Sequence, residues 1–188
     1  DFGTHDCSGL YAEYLTGTAV KCNVYFDHIT DGAYVRNCHF NPHFSARTSG
    51  SGLADDKGAI SHDIMEAIAL LDRELTAVVI GTVTGLELYD IFNYRSQVGL
   101  HTLPGSRLED VKLFAIGQDG TIGGLLLEHT GKAVLINSNV DAVPSPACAE
   151  WLESGGTGVP PADIPPTYYA VVGPQAEAAF IGSSFGAF

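Results

Sequence analysis

Short apolar runs rather than helical stripes organise this chain. Stretches of four to seven residues rich in Val, Ile, Leu, Tyr and Phe recur along its length, each closed by Gly, Asn, Asp or Ser, which is the pattern of strands bounded by turns. It predicts strands at Asn23–Phe26, Ala33–Phe40, Val78–Ile80, Leu86–Phe92, Val98–His101, Val111–Ala115, Gly124–Glu128, Ala133–Val140, Tyr169–Val172 and Ala178–Phe185. Only Ser61–Glu74 has helical spacing, with Ile64, Ile68 and Leu71 on one face and Ser61 placed as its N-cap. Two segments punctuate the strands. Residues 41–58 are rich in Ser and Gly, and 144–167 holds most of the prolines, so both read as loop excursions from a single domain spanning 1–188.

One heptad-like stretch recurs. Tyr34-Val35-Arg36-Asn37-Cys38-His39-Phe40 overlays Val134 to Val140 and Ala179 to Phe185, with Leu86 to Phe92 as a looser fourth copy. The separations are uneven but lie near twice a coil length of about 22 to 26 residues, within the range of strand solenoids. The pattern places an apolar side chain inward, then a small or amide residue at a sharp bend, then another inward apolar residue. Asn at the bend is expected to stack on Asn of a neighbouring coil and satisfy backbone groups there. The expected fold is all-β, a right-handed parallel β-helix with two long loops. An antiparallel β-sandwich is the runner-up, disfavoured by the near absence of two-residue hairpin turns.

These residues resemble the pectate-lyase-like right-handed parallel β-helix proteins of bacteria and phages. The resemblance is carried by Val24-Tyr25-Phe26-Asp27 leading into Ile29-Thr30-Asp31-Gly32 and Val35 to Pro42. It continues through Ala133 to Val143, Val171 to Pro174 and Ala178 to Phe185. It implies a secreted protein, extracellular or at the cell surface, that interacts with polysaccharide; any catalysis would be that of a polysaccharide lyase or a glycoside hydrolase. Complete members are longer, so a trimmed, truncated or diverged β-helix is expected. Polygalacturonase-like relatives carry Asn-Thr-Asp, Gly-His-Gly and Arg-Ile-Lys motifs that are absent here, and the only adjacent aspartates, Asp55 and Asp56, fall in the first loop. No Asp-rich strand with a matching Arg is found, so no cofactor is expected, and calcium stands only as an unsupported alternative.

Composition narrows the partners. With 9 Lys and Arg against 22 Asp and Glu, the formal charge is −13, which lacks the phosphate-neutralising surface that nucleic acid requires. No apolar run is long enough to span a membrane as a helix, and no basic-then-apolar leader opens the chain, which begins at Asp1 as a mature or excised product would. Cys7, Cys22, Cys38 and Cys148 form no CxxC pair. Buried thiols are their simplest role, with a Cys22–Cys38 bridge as the alternative in an oxidising compartment.

The candidate chemistry is that of glycans. Asp27, His28 and Asp31 share one predicted turn and form the candidate acid–base group, against turn capping by the aspartates as the plainer role. Trp151, Tyr89 and Tyr94 are candidates for stacking on sugar rings, alongside other outward tyrosines. His39 and His43 stand four apart but not on a helix, so no metal site is expected. Gly117 to Gly124 lacks the Lys and Ser/Thr of a P-loop and reads as a turn. A structural subunit is the competing function. The uncharged 178–188 segment favours pairing between copies, which would make the partner the protein itself, as a homo-oligomer or filament.

Overall fold

A computed structural model of the protein describes residues 6–43, 62–157 and 160–186, with the side chains of 62–64 left aside. Strands make up 60% and helices 13%, so the fold is mostly β, as the short apolar runs require. The strands are β1 Cys7–Glu13, β2 Thr16–Gly17, β3 Cys22–Phe26, β4 Ile29–Phe40, β5 Thr76–Ile80, β6 Val83–Thr84, β7 Leu86–Thr102, β8 Arg107–Leu127, β9 Thr130–Ile136, β10 Asn139–Ala142, β11 Tyr168–Val172, β12 Ala176–Ile181 and β13 Ser184–Phe185. The helices are α1 His62–Glu74 and α2 Pro146–Glu153.

Among the described residues every strand pairing is parallel, which removes the antiparallel sandwich. The register is regular. Glu87 lies beside Lys112, Leu88 beside Leu113 and Thr102 beside Leu127, a constant step of 25 residues between β7 and β8. Leu113 then lies beside Leu135 and Leu10 beside Ala33. The step widens where a segment is inserted: Ala33 pairs with Leu86 across 41–75, and Leu135 with Phe180 across 144–167.

The long strands bend rather than run straight. In β7 the bends fall at Asp90 (φ 56°) and Arg95 (φ 64°), and in β8 at Asp110, Ala115 and Gly120 (φ 51°, 51° and 64°). Each bend is five residues from the next, so a five-residue face alternates inward and outward side chains before the chain turns a corner. The corners stack. Tyr14, Asn37, Asp90, Ala115, Asn137 and Gly182 all have positive φ and occupy one column, as the pairings on either side of them fix. Asn and Asp tolerate this left-handed conformation better than other non-glycine residues, which explains three of the six.

The same register tests the sequence overlay. Tyr34, Val134 and Ala179 share one column, through Glu87 and Lys112. The copy drawn from Leu86 is one residue out, and the true fourth copy begins at Glu87. A further copy, Lys112-Leu113-Phe114-Ala115-Ile116-Gly117-Gln118, was hidden because Ala and Gly replace the bulky residues. Asn37 and Asn137 share a column but are separated in it by Asp90 and Ala115, so they do not stack on each other. The amide contact forms elsewhere, with Asn23 Nδ2 donating to Asn93 Oδ1 at 3.1 Å.

The core is a set of inward rows. Val35, Leu88, Leu113 and Leu135 form one, and Cys38, Ile91 and Ile116 another, each residue no more than 1% exposed. Helix α1 forms where its spacing predicts and packs on β7, burying Ile68 and Leu71. Its N-cap candidate Ser61, most of 41–58 and the Asp55–Asp56 pair lie outside the described residues. Helix α2 corrects the reading of 144–167 as loop: Ser145 Oγ accepts from Cys148 N at 3.1 Å and Pro146 opens the first turn, a strong start signal in a proline-rich setting. Gly117–Gly124 is likewise strand rather than turn, a run of β8 in which only Gly120 marks a corner. Glycine is required at Gly124, where a Cβ would stand 2.2 Å from Val140 Cγ1 and 2.3 Å from Tyr169 O. All four cysteines are free thiols, so Cys22 and Cys38 are not bridged. Among the described residues no helix is long and apolar enough to cross a membrane.

Candidate functional site

The inward row from Val35 to Leu135 dictates what its flanking positions do, because side chains alternate along a strand. On the outer face of the same strands, Tyr11, Tyr34, Glu87 and Lys112 form one column, and Glu13, Arg36, Tyr89 and Phe114 the next. With neighbouring strands about 4.8 Å apart, the four strands set these columns over roughly 14 Å. Tyr11 and Tyr34 stack with ring centroids 5.9 Å apart and planes inclined by 20°, and Tyr89 and Phe114 lie 5.5 Å apart. The Arg36 guanidinium sits over both Tyr11 and Tyr34, at 5.8 and 5.9 Å. Tyr11 is 55% and Tyr89 47% exposed, so the rings are available to solvent.

Polar groups lie between these rings. Arg36 Nε is 3.0 Å from Glu13 Oε1, and Lys112 Nζ is 3.0 Å from Glu87 Oε1. The Tyr11 hydroxyl also donates to Glu13; that bond, with the guanidinium, holds the Glu13 carboxyl below its ordinary range, and the same bond raises the Tyr11 phenol against the lowering pull of the guanidinium. Along one border the glycine corners Gly9, Gly32 and Gly85 leave a shallow groove of about 370 Å³ beside Tyr11 and Tyr34. A Cβ at Gly85 would stand 3.1 Å from Gly32 N, so the groove floor depends on absent side chains as well as on positive φ.

The residues singled out from sequence are dispersed over the molecule. Asp27 and His28 are together, with His28 Nδ1 3.3 Å from Asp27 Oδ2, but Asp27 is engaged in the turn. Its Oδ1 accepts from the backbone N–H of His28 (2.9 Å) and of Thr82 (2.8 Å), and its Oδ2 from the Tyr25 hydroxyl (2.8 Å). Burial opposes ionisation there, yet these donors outweigh it and hold the carboxyl below its usual range, which disfavours a proton-donating role. Asp31 is exposed on β4 beside Ser8, and among the described residues none hydrogen-bonds it. Tyr89 belongs to the aromatic face. Tyr94 lies past the Asp90 corner, with its ring 5.5 Å from that of His43. Trp151 is on α2 against Gly156, where a Cβ would meet the indole at 2.2 Å.

A second cluster was not foreseen. Tyr94 pairs in register with Asp119, and Asp119 lies within reach of the charge of Asp141, which is 7% exposed and whose Oδ1 has no hydrogen-bond partner among the described residues. Burial first, then the charge of Asp141, raise the Asp119 carboxyl above its ordinary range. Nearby, Arg95 reaches from its corner to the buried Asp72 on α1, with Nε 3.1 Å from Oδ1, and a cavity of about 490 Å³ opens between Asp72, Gln97, Ile122 and the Ser145–Pro146 start of α2. Because the folded state holds the Asp119 proton more tightly than the unfolded chain, stability is greatest below the unfolded aspartate range and falls as pH rises through the folded value. Asp119→Asn, which keeps a donor and removes a charge, is expected to stabilise the protein at neutral pH by on the order of 1 kcal/mol. It should also flatten the acid limb of a melting-temperature profile; an unchanged profile would mean that folding does not raise the Asp119 carboxyl.

Among the described residues no group of three or more His, Cys, Asp or Glu side chains is placed to hold a metal ion. Both the expected and the unforeseen groups owe their positions to stacking, which sets residues about 25 apart in sequence side by side. Compared with protein-family models, with curated proteins and with solved structures, the chain shows no significant match.

Proposed function

We propose that this chain is a right-handed parallel β-helix of pectate-lyase-like type that binds polysaccharide outside the cell, along the outer face of β1, β4, β7 and β8. The all-parallel pairing of successive strands, the stacked left-handed corners and the strong preference for right-handed crossovers support the fold. The observation that carries the function is the outer-face array of exposed Tyr11 and Tyr89 with half-buried Tyr34 and Phe114, interleaved with Glu13, Arg36, Glu87 and Lys112. Flat apolar rings take the C–H faces of sugars, and the polar side chains between them meet the hydroxyls.

Binding fits the geometry better than cleavage. A retaining glycosidase holds its two carboxyls about 5–5.5 Å apart and an inverting one further still. Asp27 has both oxygens committed to its turn, which leaves the candidate acid–base group without a free pair of carboxyls. In affinity electrophoresis through polysaccharide gels, Tyr34→Ala and Tyr89→Ala are each expected to weaken retention about fivefold, near 1 kcal/mol per ring. Trp151→Ala should leave retention unchanged. Loss of retention with Trp151→Ala alone would move the site to α2.

A second reading, self-assembly, is favoured by the exposed Phe180, Ile181 and Phe185, the two phenylalanines meeting edge to face at 5.1 Å. Concentration-dependent growth in sedimentation velocity would support it, and a single species over a hundredfold dilution would exclude it.

A further inference from the structure

We infer that the glycan taken by this face is uncharged, a neutral polysaccharide rather than a uronate polymer. The inference rests on the reading of the outer face of β1, β4, β7 and β8 as a glycan platform and adds its specificity.

The argument is one of charge. A uronate chain presents a carboxylate on each sugar, and a protein that grips it needs cations not already satisfied, or bridging metal ions. On this face both cations are neutralised by carboxylates of the same face: Arg36 by Glu13 at 3.0 Å, and Lys112 by Glu87 at 3.0 Å and Asp110 at 3.4 Å. Elsewhere in the molecule Lys21 bridges to Glu74, Arg95 to Asp72 and Arg107 to Glu109. With a formal charge of −13 on the whole chain, an acidic polymer meets repulsion on approach and must break an ion pair on arrival. A neutral glycan meets neither cost, because carboxylate oxygens accept from its hydroxyls while Arg36 and Lys112 donate to them with their pairs intact.

The consequence departs from the pectate-lyase-like resemblance. β-Elimination needs a proton made acidic by an adjacent uronate carboxyl, and a face selective for uncharged sugars does not present that proton.

The test is affinity electrophoresis of the intact chain in gels containing β-glucan, mannan, xylan or galactan, and in parallel gels containing polygalacturonate or alginate, each at low and physiological salt. The expected result is retardation by at least one neutral polymer, changed less than twofold by salt and weakened by Tyr34→Ala, with none by the uronates. Retardation by a uronate that falls steeply with salt, and is lost in Arg36→Gln, would overturn the inference while leaving the platform in place. Migration unaffected by every polymer would overturn the platform reading itself.

Discussion

Arg95→Ala is expected to destabilise the protein by about 3–5 kcal/mol, the cost of leaving a buried carboxylate without its partner. The Asp72 side chain is 1% exposed and bound through both oxygens to the Arg95 guanidinium, itself 21% exposed. This pair fastens α1 to a corner of β7, so its loss removes a tether as well as a charge partner. Burial already raises the Asp72 carboxyl, with Arg95 restraining the shift. Without the guanidinium the carboxyl rises further and takes up a proton more readily, so the stability lost at neutral pH should be partly recovered on acidification. Urea unfolding at pH 7 and pH 5 measures this directly. A companion double substitution, Asp72→Leu with Arg95→Met, should be less damaging than Arg95→Ala alone because it leaves no buried charge. A loss below 1 kcal/mol for Arg95→Ala at neutral pH would mean that the pair is open to solvent.

Leu113→Ala should cost about 2–5 kcal/mol, since it opens a void in the middle of the inward row formed with Val35, Leu88 and Leu135. Its outward neighbour Lys112 provides the control. Lys112→Ala breaks only surface pairs with Glu87 and Asp110 and should cost less than about 1 kcal/mol. The contrast between adjacent residues is a signature of alternation on a sheet with one face buried. Equal costs would place the register one residue out.

Much of the fold was legible because its determinants are local. Apolar runs mark strands whichever strands they pair with, and α1 declared itself through Ile68 and Leu71. The overlay of Tyr34, Val134 and Ala179 found the true column because each copy keeps an apolar residue on either side of its bend: Val35 and Phe40, Leu135 and Val140, both pairs buried, and the exposed Phe180 and Phe185. Lys112–Gln118 escaped because the corner tolerates Ala115, and Gly117 packs under Phe92, where a Cβ would lie 2.9 Å from the ring. A glycine run chosen for close packing therefore imitates a turn. Helix α2 escaped for a related reason: prolines around it signalled loop more loudly than Ser145-Pro146 signalled a helix start.

The aromatic face was half legible. Tyr89 was identified for its chemistry, but its companions Tyr11, Tyr34 and Phe114 are brought to it only by stacking of distant segments. Tyr89 and Tyr94 look equivalent in sequence, yet a corner at Asp90 sends them to different faces. The Asp119–Asp141 pair was invisible for the same reason, since neither residue has an acidic neighbour in sequence. Asp27, by contrast, followed the plainer expectation of turn capping.

The most direct test of the account is to map where a neutral oligosaccharide perturbs the protein, by amide hydrogen exchange or NMR chemical shifts in the isotope-labelled chain. The account predicts changes confined to β1, β4, β7 and β8 around Tyr11, Arg36, Tyr89 and Phe114, abolished by combining Tyr34→Ala with Tyr89→Ala. Changes centred instead on the cleft between Asp72 and Pro146, or on Trp151, would contradict it.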